Sequence, residues 1–278
     1  MHRASAVVLS ALALALPACG GGSDDEVILA TTTSTQDSGL LDDLIPAFER
    51  SSGFDVKAVA VGSGEAVELA GRGEADVVLA HSPAAERALM ASGKAADRRL
   101  VMHNDFVIVG PADDPARIAG RTPGEAFAAI ADRGAAPFVS RGDESGTHAA
   151  ELAIWEDADV DPPPGRYVET GQGMGATLRV ADERGGYTLA DRATYLTQTG
   201  GLEVLVDDDP ALLNVYHVID MTDGAGDEVN AEGARAFADW IVSEDAQERI
   251  GDFGIDRFGE RLFTPDAGKT LAQVEAGA

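Results

Sequence analysis

The residues best suited to chemistry lie in one stretch, Ser140-Arg141-Gly142-Asp143-Glu144-Ser145-Gly146-Thr147-His148. It carries one guanidinium (Arg141), the hydroxyls of Ser145 and Thr147, and two glycines, Gly142 and Gly146, which let a ligand approach the backbone. An apolar run, 135–139, precedes it. A segment of helical spacing, 149–155, follows, with Leu152 and Trp155 expected on one face. The pattern predicts a strand-to-helix loop, whose first-turn N–H groups and helix dipole make an anion site. The same residues also fit an ordinary capped helix start, since Ser and Thr are common N-caps.

The elements needed to position this loop recur along the chain. Buried strands are expected at 27–31, 55–61 and 75–80, apolar nearly throughout, as parallel strands covered on both faces should be. Each runs into a loop with small hydroxyl residues: Thr32-Thr33-Ser34-Thr35-Gln36-Asp37-Ser38-Gly39, then Gly62-Ser63-Gly64, then His81-Ser82-Pro83. In an open parallel sheet such loops gather at the carboxyl ends of the strands, where ligands bind. Helices are expected from 40 to near Ser51-Ser52-Gly53, with Leu40, Leu41, Leu44, Ile45 and Phe48 on one stripe, and at 65–70 and 84–92. The long apolar runs 102–111 and 212–219 suit a crossing into a second lobe and a return from it. Further helices are expected at 122–131, 176–183, 192–197, 231–243 and 244–253.

Other chemistries find little support. Gly171-Gln172-Gly173-Met174-Gly175 is not G-x-G-x-x-G, and no Gly-x-Ser-x-Gly elbow occurs. The five histidines lack metal-ligand spacing. A hydrolase built on Ser145 and His148 would need a base within reach of an activated serine. No catalytic residue, bound metal or cofactor is expected. The formal charge of −27 makes nucleic acid a poor partner.

Arg3 and the apolar run 6–16 suit a signal peptide, 1–18, too short to span a bilayer. Leu16-Pro17-Ala18-Cys19 resembles a bacterial lipobox, so lipidation is expected at Cys19, with 19–25 as a flexible tether. Cys19 is the only cysteine, which rules out an internal disulfide.

Taken together, Ala30–Gly39, Asn104–Pro111, the Ser140–His148 loop, Gly171–Gly175 and Tyr187–Tyr195 resemble the tungstate-binding proteins of ABC transporters, in the same order along the chain. The resemblance implies an α/β, two-lobed type II periplasmic-binding-protein fold, two doubly wound lobes joined by two crossing strands. Its expected limits are 26–107 with 216–278 for the first lobe and 108–215 for the second. It implies an extracytoplasmic lipoprotein, monomeric, that captures tungstate, or else molybdate, phosphate or sulfate, for a membrane permease. By the same resemblance Thr33, Ser34, Ser63, Arg141, Ser145, Gly146 and Thr147 bind the oxyanion and Asp143 braces the guanidinium. Thr32, His81 and Gln172–Met174 are further candidates. Ala193 stands where the family pattern has glycine.

Overall fold

The computed structural model describes residues 25–134, 136–198 and 200–277; the expected signal peptide and Cys19 lie outside them. The first lobe opens with β1 (Glu26–Thr32), α1 (Thr33–Ser38), α2 (Leu40–Ser52), β2 (Asp55–Val61), α3 (Ser63–Gly71), β3 (Val77–Ala80) and α4 (Pro83–Ala91). A 17-residue strand, β4 (Ala95–Pro111), carries the chain across. The second lobe holds α5 (Pro123–Arg133), β5 (Phe138–Ser140), α6 (Gly146–Asp157), β6 (Tyr167–Glu169), α7 (Met174–Arg184), β7 (Thr188–Asp191), α8 (Arg192–Thr197) and β8 (Leu202–Val206). The return strand β9 (Leu213–Met221) leads to α9 (Ala231–Ile241), α10 (Glu244–Asp252), α11 (Ile255–Phe258), β10 (Thr264–Pro265) and α12 (Leu271–Glu275).

The two-lobed α/β architecture is present. In the first lobe the strands run in the order β10-β4-β9-β3-β1-β2, with β1 parallel to β2 and β3. Strand β4 pairs antiparallel with β9 as far as Asp105, then with β7 and β8 from Phe106 onward. One strand therefore belongs to both lobes, and β9 is the second connection.

Apolar clusters cover both faces of each sheet. Leu29, Phe48, Phe237 and Ile241 belong to one first-lobe cluster, and Ala30, Val78 and Ile219 to the other. Helix α9 is amphipathic, burying Ala234, Phe237, Ala238 and Ile241. Burying a Phe or Ile side chain contributes about 1.5–3 kcal/mol each. In the second lobe Phe127, Phe138 and Trp155 pack on one face, Val107, Val139 and Met174 on the other.

Two local expectations are corrected. Residues 33–38, expected as loop, form α1, because Thr32 caps its start by accepting from the Thr35 N–H at 3.1 Å. Leu152 is 46% exposed while Trp155 is buried. The inward row of α6 runs through Thr147, Glu151, Ile154 and Trp155, at helical spacings of four, three and one, and Leu152 falls beside it. Glu151 takes the inward place because Trp155 Nε1 and the Tyr167 hydroxyl both donate to its Oε1, at 3.2 and 2.7 Å.

Candidate functional site

Five strand ends converge on the cleft. In the first lobe, β1 delivers Thr33 and Ser34 into the first turn of α1, β2 delivers Ser63 at the start of α3, and β3 ends beside His81. In the second lobe, β5 leads to Arg141 and the start of α6, and β6 leads through Gly173 to α7. Contact across the cleft is direct. Arg141 Nη2 donates to Thr33 Oγ1 at 3.2 Å. A Cβ on Gly146 would lie 2.5 Å from His81 Nδ1 and 3.0 Å from the His81 carbonyl oxygen, so only glycine lets these loops meet.

The Ser140–His148 loop has defined internal bonding. Gly142 has φ 58°, and a Cβ there would meet Glu169 at 2.6 Å. Ser145 is the N-cap of α6, its Oγ accepting from the His148 N–H at 3.2 Å. His148 Nδ1 accepts from the Glu144 N–H, so this imidazole caps the loop rather than serving Ser145 as a base. Arg141 is 2% exposed, and its Nε and Nη2 both donate to Asp143 Oδ2, at 3.1 and 2.6 Å. The other Asp143 oxygen accepts from the Ser145 N–H at 3.2 Å. Asp143 therefore contacts the guanidinium, and one edge of the fork is committed to it. Nη1 has no hydrogen-bond partner among the described residues.

The hydroxyls share one property. Thr33 Oγ1 accepts from Arg141, Ser63 Oγ from the His81 N–H at 3.2 Å, and Ser145 Oγ from the His148 N–H. Each spends a lone pair on the protein and keeps its proton to donate. Ser34 Oγ lies 3.1 Å from Thr32 Oγ1 and 3.5 Å from His81 Nε2. Thr147 Oγ1 is buried with no hydrogen-bond partner among the described residues. Buried polar atoms are almost always paired, so this hydroxyl keeps its donor free.

The outlying candidates separate. Thr32 Oγ1 is used as the α1 cap, and Met174 packs into the second-lobe core. Gln172 is exposed, while Gly173 approaches Thr33. His81 is buried, with Nδ1 unpartnered among the described residues. Its pKa is pushed down to about 4, by burial first and then by the Arg141 charge, against Glu86 and a hydrogen bond with Asn214. At neutral pH it is a neutral imidazole.

Sequence reasoning missed the layer behind the cleft. Asp191 caps α8 by accepting from the Thr194 N–H, is fully buried, and has its pKa raised by desolvation against Thr194 and Arg141. Asn214 donates to Asn104 Oδ1 at 2.8 Å and to the Tyr216 hydroxyl at 3.1 Å. Asp191 in its N-cap position before α8 was the one local signal available. No group of three His, Cys, Asp or Glu among the described residues could hold a metal ion.

A PBP superfamily domain matches residues 19–245. The tungstate-binding protein TupA of Peptoclostridium acidaminophilum is 46% identical over 240 residues, covering 85% of this chain and 84% of that protein. The solved tungstate-binding protein TupA of Desulfovibrio alaskensis G20 is 42% identical, with TM-score 0.74, covering 87% of this chain and 99% of the other. A structure titled as the tungstate ABC transporter from Geobacter sulfurreducens is 41% identical, with TM-score 0.76, covering 84% and 100%. This chain belongs to the PBP superfamily and, within it, to the TupA family of tungstate-binding proteins.

Proposed function

We propose that the chain captures tungstate outside the cytoplasm and hands it to an ABC permease, without transforming it. The names borne by the relatives favour this ligand and this partner. The observation that carries the reading is the donor set. Thr33, Ser63 and Ser145 each accept from the protein and keep a proton to give, and Thr147 Oγ1 is buried and unpartnered among the described residues. A fully ionised tetrahedral oxyanion accepts hydrogen bonds only, and donors of this kind match it.

The same argument weighs the alternatives. Hydrogen phosphate carries a proton and needs an acceptor. Asp143 is a poor one, because Arg141 holds one of its oxygens and the Ser145 N–H the other. Molybdate has the charge and nearly the size of tungstate, and the donor set treats the two alike. Thr33, Ser34, Ser63, Arg141, Ser145, Gly146 and Thr147 are the proposed ligand contacts, with Asp143 orienting Arg141.

Calorimetric titration with tungstate, molybdate, sulfate and phosphate tests the reading. Tungstate is expected to bind tightest and phosphate weakest; equal binding of phosphate and tungstate would contradict it. Lipid anchoring at Cys19 belongs to the same proposal. Cys19→Ala should move the protein to the soluble fraction or leave its leader uncut, and a processed variant still retained on membranes would exclude that anchor.

A further inference from the structure

In a capping box the third residue of a helix, a Glu or Gln, reaches back to the N-cap N–H. In α6 the N-cap is Ser145 and the third helical residue is His148. The Ser145 N–H is already taken by Asp143 Oδ1, and the imidazole reaches one residue further: His148 Nδ1 accepts from the Glu144 N–H at 3.1 Å. Glu144 needs that hold, because its φ of 56° lies in the left-handed region that a side chain disfavours. The turn around it is seated on the other lobe. A Cβ on Gly64 would lie 3.6 Å from the Glu144 carbonyl oxygen, and one on Gly62 would lie 3.7 Å from that of Asp143. Those two glycines flank Ser63. The same turn orients the cation, since Asp143 Oδ2 holds Arg141.

The residue in the box position is thus one that titrates. An amide oxygen accepts at any pH, whereas an imidazole nitrogen accepts only while the ring is neutral. Histidine is the side chain that ordinarily changes charge between pH 5 and 8. A charged ring would set an Nδ1–H against the Glu144 N–H, donor against donor. The charged groups around it are Asp143 and Glu144 on the turn, Glu151 one helical turn on, Glu169 of β6 against Gly142, and Glu65 beside Gly64 on the facing α3. We propose that His148 is a positioning residue for oxyanion capture: its neutral ring locks the Asp143–Ser145 turn against the first lobe, and protonation releases the turn and weakens the hold on the anion. This rests on the reading of the ligand as an oxyanion bound between the lobes.

Calorimetric titration with tungstate between about pH 8 and about pH 5.5, at constant ionic strength, tests it. Wild type should bind about tenfold more weakly at the acid end. His148→Asn, whose side-chain oxygen stands near the place of Nδ1 but does not titrate, should change less than about twofold over the same interval. His148→Ala should lose about tenfold already at about pH 8, and His148→Asn should recover most of that loss. The same fall with pH in His148→Asn as in wild type would overturn the proposal, and so would wild-type affinity in His148→Ala at about pH 8. Circular dichroism serves as the folding control; if His148→Ala does not fold, the comparison of wild type with His148→Asn still decides. Nitrogen NMR of the histidine-labelled tungstate complex should show His148 with Nδ1 bare and Nε2 protonated, and the opposite tautomer would also sink the idea. A wild type that binds no tungstate at about pH 8 would remove the ligand reading itself. That outcome is distinct from tungstate binding with parallel pH curves, which leaves the reading standing and His148 without its role.

Discussion

On the first-lobe wall of the cleft, Thr33, Ser34 and Ser63 offer hydroxyls and His81 a neutral imidazole. On the second-lobe wall, Ser145 and Thr147 offer hydroxyls, and Arg141 adds a buried guanidinium oriented by Asp143. One wall is uncharged and the other carries the cation. The division has a physical sense: two cationic walls would repel each other before ligand arrived, whereas a neutral wall can close on a charged one. On the proposed reading, it would assign charge recognition to the second lobe and completion of the donor shell to the first.

The comparison is broken most severely at the cation. Truncating one partner of a buried charge pair costs about 2–5 kcal/mol, so Arg141→Ala should weaken tungstate binding by about 30-fold to several thousandfold. Arg141→Lys should fall between Arg141→Ala and wild type, because lysine keeps the charge but cannot hold Asp143, Thr33 and a ligand with one planar group. Calorimetry with circular dichroism as the folding control reads both.

Removing one hydroxyl from each wall sharpens it. A hydrogen bond to a charged group contributes about 1.5–3 kcal/mol, so Ser63→Ala and Thr147→Val should each lose about 10- to 100-fold in affinity. Similar losses from the two walls would support shared completion of the donor shell; a loss confined to the Thr147 wall would mean that the first lobe only covers the ligand. Next is Gly146→Ala. Its added Cβ would meet His81 at 2.5 Å and hold the walls apart, for an expected loss of about tenfold. Adding His81→Ala to that variant should recover part of the loss, since it removes the clashing ring.

The smallest effect concerns the neutral wall. The folded-state pKa of His81, about 4, lies below its ordinary value of 6.5. Between those values the unfolded chain takes up a proton that the folded one refuses, so His81's contribution is complete above about pH 6.5 and is lost as pH falls toward 4. From pH 7.5 to 6 this amounts to about 1 kcal/mol. Thermal melts should show a shallower decline for His81→Gln than for wild type over that interval, and parallel curves would show that His81 is not held neutral by folding.

Sequence made some of this legible. Strands β1, β2 and β3 announce themselves as apolar runs ending in hydroxyl loops, and Arg141 stands out as the one guanidinium in the Ser140–His148 loop. Helix α1 did not, since Ser and Thr have weak helix propensity and its start depends on the Thr32 side chain. Leu152 misled because apolar spacing cannot see Tyr167, which turns Glu151 inward. The Glu86–Arg98–His217 cluster joins residues 12 and 119 positions from Arg98, a distance no local pattern reports. His81 looked like a loop residue; only the fold places it against Gly146.

The central claim, that one oxyanion sits between the two walls, is tested most directly by a tungsten anomalous map from crystals of the tungstate complex. The expected result is a single strong peak enclosed by the Thr33, Ser63 and Thr147 hydroxyls and Arg141 Nη1, with Asp143 still on the guanidinium. A peak elsewhere, or one contacted by residues of a single lobe, would contradict it.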